Sequence, residues 1–259
     1  MNTPEKIVSV YLRLNGFFTL NNFTHLPEKG QSMESDILAI RCPSSEEKVN
    51  GKPLQIDENF FTSCDLNKNE VIGLIVEVKG DRKKTPFDPL FSIKDAELEN
   101  DLSKGIIPEC LKNRFTNENQ LSDSASVTKE KEDEWMITDK KNFIIRKKDK
   151  TLNIYKQTMK EKIEYAKNFF GDYKDKVYLC AISGLYDNHR YPLYCAATDL
   201  NSNPLIKIGI GYIAQKVKDI IEERENACQK ISSWRLNDEL LSDLIYLKKI
   251  GLLSAEKKK

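Results

Sequence analysis

The apolar run VIGLIVEVKG, residues 71–80, ends in two charges, Glu77 and Lys79, with Gly80 directly after them. Side chains of a strand alternate with period two, so in a strand these two charges share a face. A buried strand does not ordinarily close on two such neighbours without a partner or a purpose. A further carboxylate, Asp36, opens the apolar run 36–41 one strand earlier, and two adjacent strands can bring Asp36 and Glu77 together. Two carboxylates offer oxygen ligands to a hard divalent cation, and a lysine offers a positive group beside developing charge, which together are what phosphodiester hydrolysis needs. E-x-K recurs at Glu46/Lys48 and Glu256/Lys258, but there in a polar loop and in the lysine-rich tail. The alternative is an ordinary ion pair among strand-end charges.

The elements that must position these residues are legible in outline. Residues 4–15 read as a helix, with Thr3 to cap it, Pro4 at its first position, Gly16 to stop it and a stripe of Ile7, Val8, Tyr11, Leu12 and Leu14. Strand-like runs follow at 17–23, 36–41 and 71–78, separated by loops holding Pro27, Gly30, Pro43 and Gly51, an order of α-β-β-β. Beyond residue 81 the composition turns polar, and 113–134 reads as a mobile linker or surface loop with little to bury. Short strands at 135–138, 142–146 and 151–155 suggest a small hairpin, so 81–155 is taken as an insertion within a single domain spanning 1–259. A helix is expected at 156–170, strands at 177–183, 191–197 and 205–208, and helices at 212–229 and 236–249.

The helix ending VYLRLNGFFTLNNF, the strand ESDILAIR and the strand IVEVKG, in that order, resemble the restriction-endonuclease-like superfamily, the PD-(D/E)xK nucleases. Residues 4–80 carry the resemblance, and 156–183 follow it by element order; Ser35 stands where the family motif has proline. The resemblance implies an α/β fold with an α-β-β-β-α-β core, a mixed central sheet flanked by helices, and an inserted polar hairpin segment. It implies a DNA endonuclease, with RNA as the other polymer. It also implies that Asp36 and Glu77 hold magnesium, or manganese, with the backbone carbonyl of Val78, while Lys79 orients or activates the attacking water. Glu34, two residues before Asp36, could add an outer-sphere or second-metal ligand or be a solvated strand-entry residue; Tyr11 and Asn15 could border the cleft, although a helical tyrosine is more often core and Tyr11 is left out of the site, and Glu5 suits the first turn of a helix. The competing class is a binding module that keeps the fold without the chemistry.

For phosphate contacts the candidates are Arg82, Lys83 and Lys84, just past the catalytic strand, and Lys140, Lys141, Arg146, Lys147 and Lys148; a solvated charged turn is the other explanation of such runs. The net charge of +1 decides nothing about a polyanionic partner, so local clustering must. The six cysteines lack a C-x-x-C pair, and the two histidines, His25 in a loop and His189 in a turn, lack partnering ligands, which points to reduced thiols and structural imidazoles. The N-terminus lacks the pattern of a secretory leader and no run is long enough to cross a bilayer, so a cytoplasmic setting is expected. Cutting both strands of a duplex would need two sites, which makes a homodimer the natural assembly.

Overall fold

The structure is a computed structural model that describes residues 3–25, 33–45, 48–49, 52–53, 56–80, 87, 90–94, 98–115, 119–148, 151–188, 192–196 and 205–228. In chain order its elements are α1 (Thr3–Leu14), β1 (Phe18–His25), β2 (Met33–Arg41), β3 (Lys48–Val49), β4 (Lys52–Pro53), α2 (Glu58–Ser63), β5 (Ile72–Lys79), β6 (Phe91–Ile93), α3 (Leu98–Ser103) and α4 (Glu109–Lys112). They continue as β7 (Ser126–Lys131), β8 (Glu134–Thr138), β9 (Phe143–Lys148), β10 (Thr151–Lys156), α5 (Gln157–Asn168), β11 (Val177–Ser183), β12 (Leu193–Ala196), β13 (Leu205–Gly209) and α6 (Ile210–Cys228). The chain divides into two compact units, one of residues 1–86, 166–199 and 203–259, the other of 87–165 and 200–202.

The first unit is mixed α/β. Its six-stranded sheet runs β1-β2-β5-β11-β13-β12, with β5, β11 and β13 parallel and the remaining neighbours antiparallel. One face is covered by α1 and α6: Ile7, Val8, Tyr11 and Leu12 of α1 and Ile213, Val217 and Ile220 of α6 pack with Ile72, Leu74, Val76 and Val78 of β5. Period-two alternation therefore sends Gly73, Ile75, Glu77 and Lys79 to the opposite face. There the Phe170 ring lies so close to Gly73 that an added Cβ would come within 2.9 Å of it.

Helix α1 stops where the glycine predicts. Gly16 adopts φ +84°, and the Gly16 and Phe17 amides donate to the carbonyls of Arg13 and Leu12, closing a Schellman turn. Behind that turn lies a buried polar hub that the sequence did not announce. Asp57, at the entry to α2, accepts hydrogen bonds from Tyr11 (2.8 Å) and Tyr212 (2.7 Å), its amide donates to Asn15 Oδ1 (2.8 Å), and Lys216 Nζ stands 3.5 Å from its second oxygen. One carboxylate thus ties α1, α2 and α6. Tyr11, buried as expected of a helical tyrosine, and Asn15 both serve this hub on the α1 face.

Burial first, and then Asp57, holds the Tyr11 phenol above its ordinary pKa, and burial with the Asp57 hydrogen bond does the same for Tyr212. Below about pH 10, the value of a free phenol, their contribution to stability is complete. Above it the unfolded chain ionises while the folded chain resists, so that contribution is lost as pH rises. The urea midpoint should fall between about pH 9 and about pH 11, and fall less steeply in Tyr212→Phe; equal slopes would show that the hub does not control phenol ionisation.

The second unit is an antiparallel sheet in the order β6-β10-β9-β8-β7, with α3 and α4 packed on one face through Leu98, Leu102 and Leu111 against Trp135, Phe143 and Ile145. Residues 113–134 are thus not a linker throughout: β7 lies within them and pairs with β8. Only Val127 of β7 is buried, so this edge strand is held by its ladder and one apolar contact. Smaller corrections concern His25, which ends β1 instead of occupying a loop, and the helix expected at 156–170, which spans Gln157–Asn168. The helix expected at 236–249 lies outside the described residues, as does His189.

Candidate active site

The geometry around Asp36 follows from where two strands part. β2 and β5 pair antiparallel from Arg41↔Ile72 to Ile37↔Val76. One residue further the partnership ends: Met33, Glu34 and Ser35 of β2 pair only with β1, while Glu77, Val78 and Lys79 continue along β11 opposite Ala181, Ile182 and Ser183. Asp36 and Glu77 are the first residues past the last β2–β5 pair. The fork opens at these two carboxylates.

They also share a face. Leu38 and Ile75 are direct cross-strand partners, and Asp36 and Glu77 each lie two residues beyond them on the same side of the pleat, opposite to α1 and α6. Lys79 shares that face by alternation. Across the fork, Asp36 Oδ2 accepts the Val78 N–H at 2.6 Å. That bond satisfies a backbone donor at the opening and fixes the Asp36 carboxylate against β5. Glu77 is 7% exposed, Asp36 half-buried and Lys79 exposed, so the three run from the buried strand interior to solvent.

Glu34 is exposed and lies beyond the fork, opposite Thr24 of β1. Among the described residues no three His, Cys, Asp or Glu side chains converge as a cation site, so what stands at the fork is a carboxylate pair. The first turn of α1 reaches the end of β5, where a Cβ on Gly80 would stand 3.0 Å from Pro4, and Glu5 beside that proline is buried.

Two residues near the fork escaped the sequence reading. Asn22 lies between the pairs Asn21↔Ile37 and Phe23↔Ser35 that bracket Asp36 in the β1–β2 register, with φ +53°, a left-handed backbone that asparagine tolerates better than most residues. Ser183, fully buried, stands beside Lys79 in the β5–β11 register, and its hydroxyl accepts the Leu185 amide at 3.2 Å. The asparagine pair between Leu20 and Phe23 of β1 was the available signal for the first; a lone serine at a strand end offered none for the second.

The basic candidates divide. Arg82, Lys83 and Lys84 lie outside the described residues. The others belong to the second unit and do not form one stripe there. Lys147 is on the α3 face, where its Nζ donates to Glu99 at 2.5 Å; Arg146 and Lys148 alternate to the other face, and Arg146 is registered against buried Glu134, which Lys160 already pairs at 2.7 Å. Lys140 and Lys141 are exposed at the β8–β9 turn and line a concavity of about 500 Å³ with Asn119, Ser122 and Asp139. No helix among the described residues is long and apolar enough to cross a membrane. Comparison of the chain with family models, with curated proteins and with solved structures finds no match.

Proposed function

We propose that the chain is a metal-dependent nuclease that hydrolyses phosphodiester bonds of DNA at the β2–β5 fork. The observation that carries this reading is the placement of Asp36 and Glu77 as the first two residues past the last β2–β5 pair, on one face, with Lys79 one step nearer solvent. The order of α1, the antiparallel β1-β2-β5 meander, α5 and the parallel strand β11 supports a restriction-endonuclease-like core.

The donor set fits magnesium, and manganese by the same chemistry. A magnesium ion takes one or two carboxylates and keeps several waters, which a pair of carboxylates at an open fork allows. Asp36 offers the oxygen not engaged by Val78, Glu77 offers its carboxylate, and the Val78 carbonyl leaves the strand on the same side as the amide that Asp36 holds. When bound there, the ion would polarise the scissile phosphate and lower the pKa of a water. The residues then have separable tasks. Asp36 and Glu77 would hold the cation with oxygens fixed at the fork. Lys79, exposed at the strand end, holds the attacking water by its ammonium group and offsets charge on the phosphoryl oxygens.

The Asp36–Val78 hydrogen bond favours a second reading, in which the aspartate merely straps the fork and the unit is a binding module. Magnesium titration with plasmid, linear, single-stranded DNA and RNA substrates, on the native chain, Glu77→Ala and Lys79→Ala, separates the two. Cleavage in the native chain alone, with magnesium binding lost in Glu77→Ala and retained in Lys79→Ala, is the expected result. Nucleic-acid binding with no magnesium affinity and no cleavage would select the binding module, and cleavage of RNA alone would change the polymer and keep the site.

A further inference from the structure

Three thiols of the first unit gather on the α1 face of the sheet, away from the carboxylate fork. The register sets Cys180 of β11 beside Ile206 of β13, and Ile206 beside Cys195 of β12, so the two cysteines flank one isoleucine in a single row. Cys64, at the end of α2, packs into the same apolar cluster, and α2 lies against β12. Cys195 packs against the cluster that holds Cys64, and the interaction of the two side chains lowers the pKa of the Cys195 thiol and raises that of Cys64. Cys180 and Cys195 are separated by two strand spacings, roughly 9.5 Å, beyond the roughly 7 Å between Cα atoms that a disulfide can span. Cys64, reaching the cluster from α2 against β12, is therefore the partner offered to Cys195.

We propose that Cys195 and Cys64 form a modification site for peroxides, in which Cys195 is oxidised first and Cys64 resolves it to a disulfide joining α2 to the edge strand β12. Their surroundings assign the order. Cys195 is half-buried and so reachable by a small hydroperoxide, whereas Cys64 is 5% exposed and Cys180 fully buried. The interaction with Cys64 lowers the pKa of the Cys195 thiol and favours its thiolate, while the same interaction, together with burial, raises that of Cys64 and keeps it protonated. The Cys195 thiolate attacks one oxygen of hydrogen peroxide, the O–O bond breaks, and the products are the Cys195 sulfenic acid and hydroxide, which becomes water with the proton that Cys195 had released to solvent on forming its thiolate. The Cys64 sulfur then attacks the sulfenic sulfur, the S–O bond breaks, and the Cys64 proton leaves with the hydroxyl as water. The two sulfurs are oxidised together by two electrons, and the peroxide is reduced to two waters.

The test is peptide mapping of the native chain without reduction, after hydrogen peroxide treatment and blocking of residual thiols with iodoacetamide. The expected product is a Cys64-containing peptide linked to a Cys195-containing peptide, with Cys180 alkylated only after unfolding. In Cys64→Ser the reaction should stop at a Cys195 sulfenic acid that a dimedone probe captures. Oxidation of exposed Cys42 and Cys110 while Cys64 and Cys195 stay reduced would overturn the proposal. So would progression of Cys195 to the sulfinic acid in the native chain with Cys64 still a free thiol.

Discussion

Exchanging Asp36 for asparagine is expected to leave the fork folded and to lower magnesium-dependent cleavage by a factor on the order of 10³. The argument rests on the two tasks of this side chain. As an acceptor, it satisfies the Val78 N–H across the opening at 2.6 Å. An asparagine amide oxygen can accept the same bond, so the backbone at the fork keeps its partner. As an anion, it supplies half of the negative charge that would hold the cation, and the amide does not replace that. Alanine removes both tasks: Asp36→Ala should match the loss of cleavage and in addition cost about 1–3 kcal/mol, because a partly buried amide is left without an acceptor. Urea unfolding of the two variants beside a plasmid-nicking assay checks this. An Asp36→Asn variant as active as the native chain would reduce Asp36 to a strap and leave Glu77 as the sole carboxylate of the proposed site.

What the sequence could announce here depends on whether a feature is local. The end of β5 was legible because the six apolar or small positions of β5 make a strand around Glu77, and period two then sets Glu77 and Lys79 on one face. The stop of α1 was legible because glycine alone takes φ +84° cheaply. The fork itself was not, since the residue at which β2 exchanges β5 for β1 as its only partner is a property of pairing and not of either strand. Asp57 was invisible for a related reason: its partners Tyr11 and Tyr212 come from helices at opposite ends of the described chain. β7 was misread because SVTKEK carries one apolar residue that is buried, too few to show an alternation, and its order comes from the neighbouring β8. The polar composition was read correctly; what it failed to report was a hydrogen-bonding partner nearby. Arg41 belongs to the same class, a strand-end charge whose environment is assembled from the end of α1, the loop after β2 and the approach to β5.

The largest loss of stability should come from Arg41→Met. Arg41 closes β2 at the end away from Asp36, and at 1% exposure its guanidinium is one of the largest fully buried groups in the chain. Nε donates to the Asn15 carbonyl (3.2 Å), Nη1 to Lys68 (2.7 Å) and Nη2 to Ser45 (2.9 Å), and the group lies over the Phe61 ring at 5.2 Å. It thereby ties the end of α1, the loop after β2 and the approach to β5. Asn15 passes the tie onward, since its side chain accepts the amide of Asp57. Methionine fills similar volume and removes the cost of burying the charge, but it leaves three carbonyls without this donor. Breaking a buried charged network in this way costs about 3–5 kcal/mol. In a unit of this size that lowers the thermal midpoint by on the order of 10 °C. Arg41→Lys should fall between methionine and the native residue, because one ammonium cannot face three separated carbonyls with the geometry of a planar fork. Thermal denaturation of both variants followed by circular dichroism checks the order. A methionine variant as stable as the native chain would mean that the three loop carbonyls are satisfied equally well without Arg41. If cleavage depends on the β2–β5 fork, Arg41→Lys should retain it at low temperature and lose it on warming, whereas Asp36→Asn should be inactive at every temperature; that separates damage to the frame from damage to the chemistry.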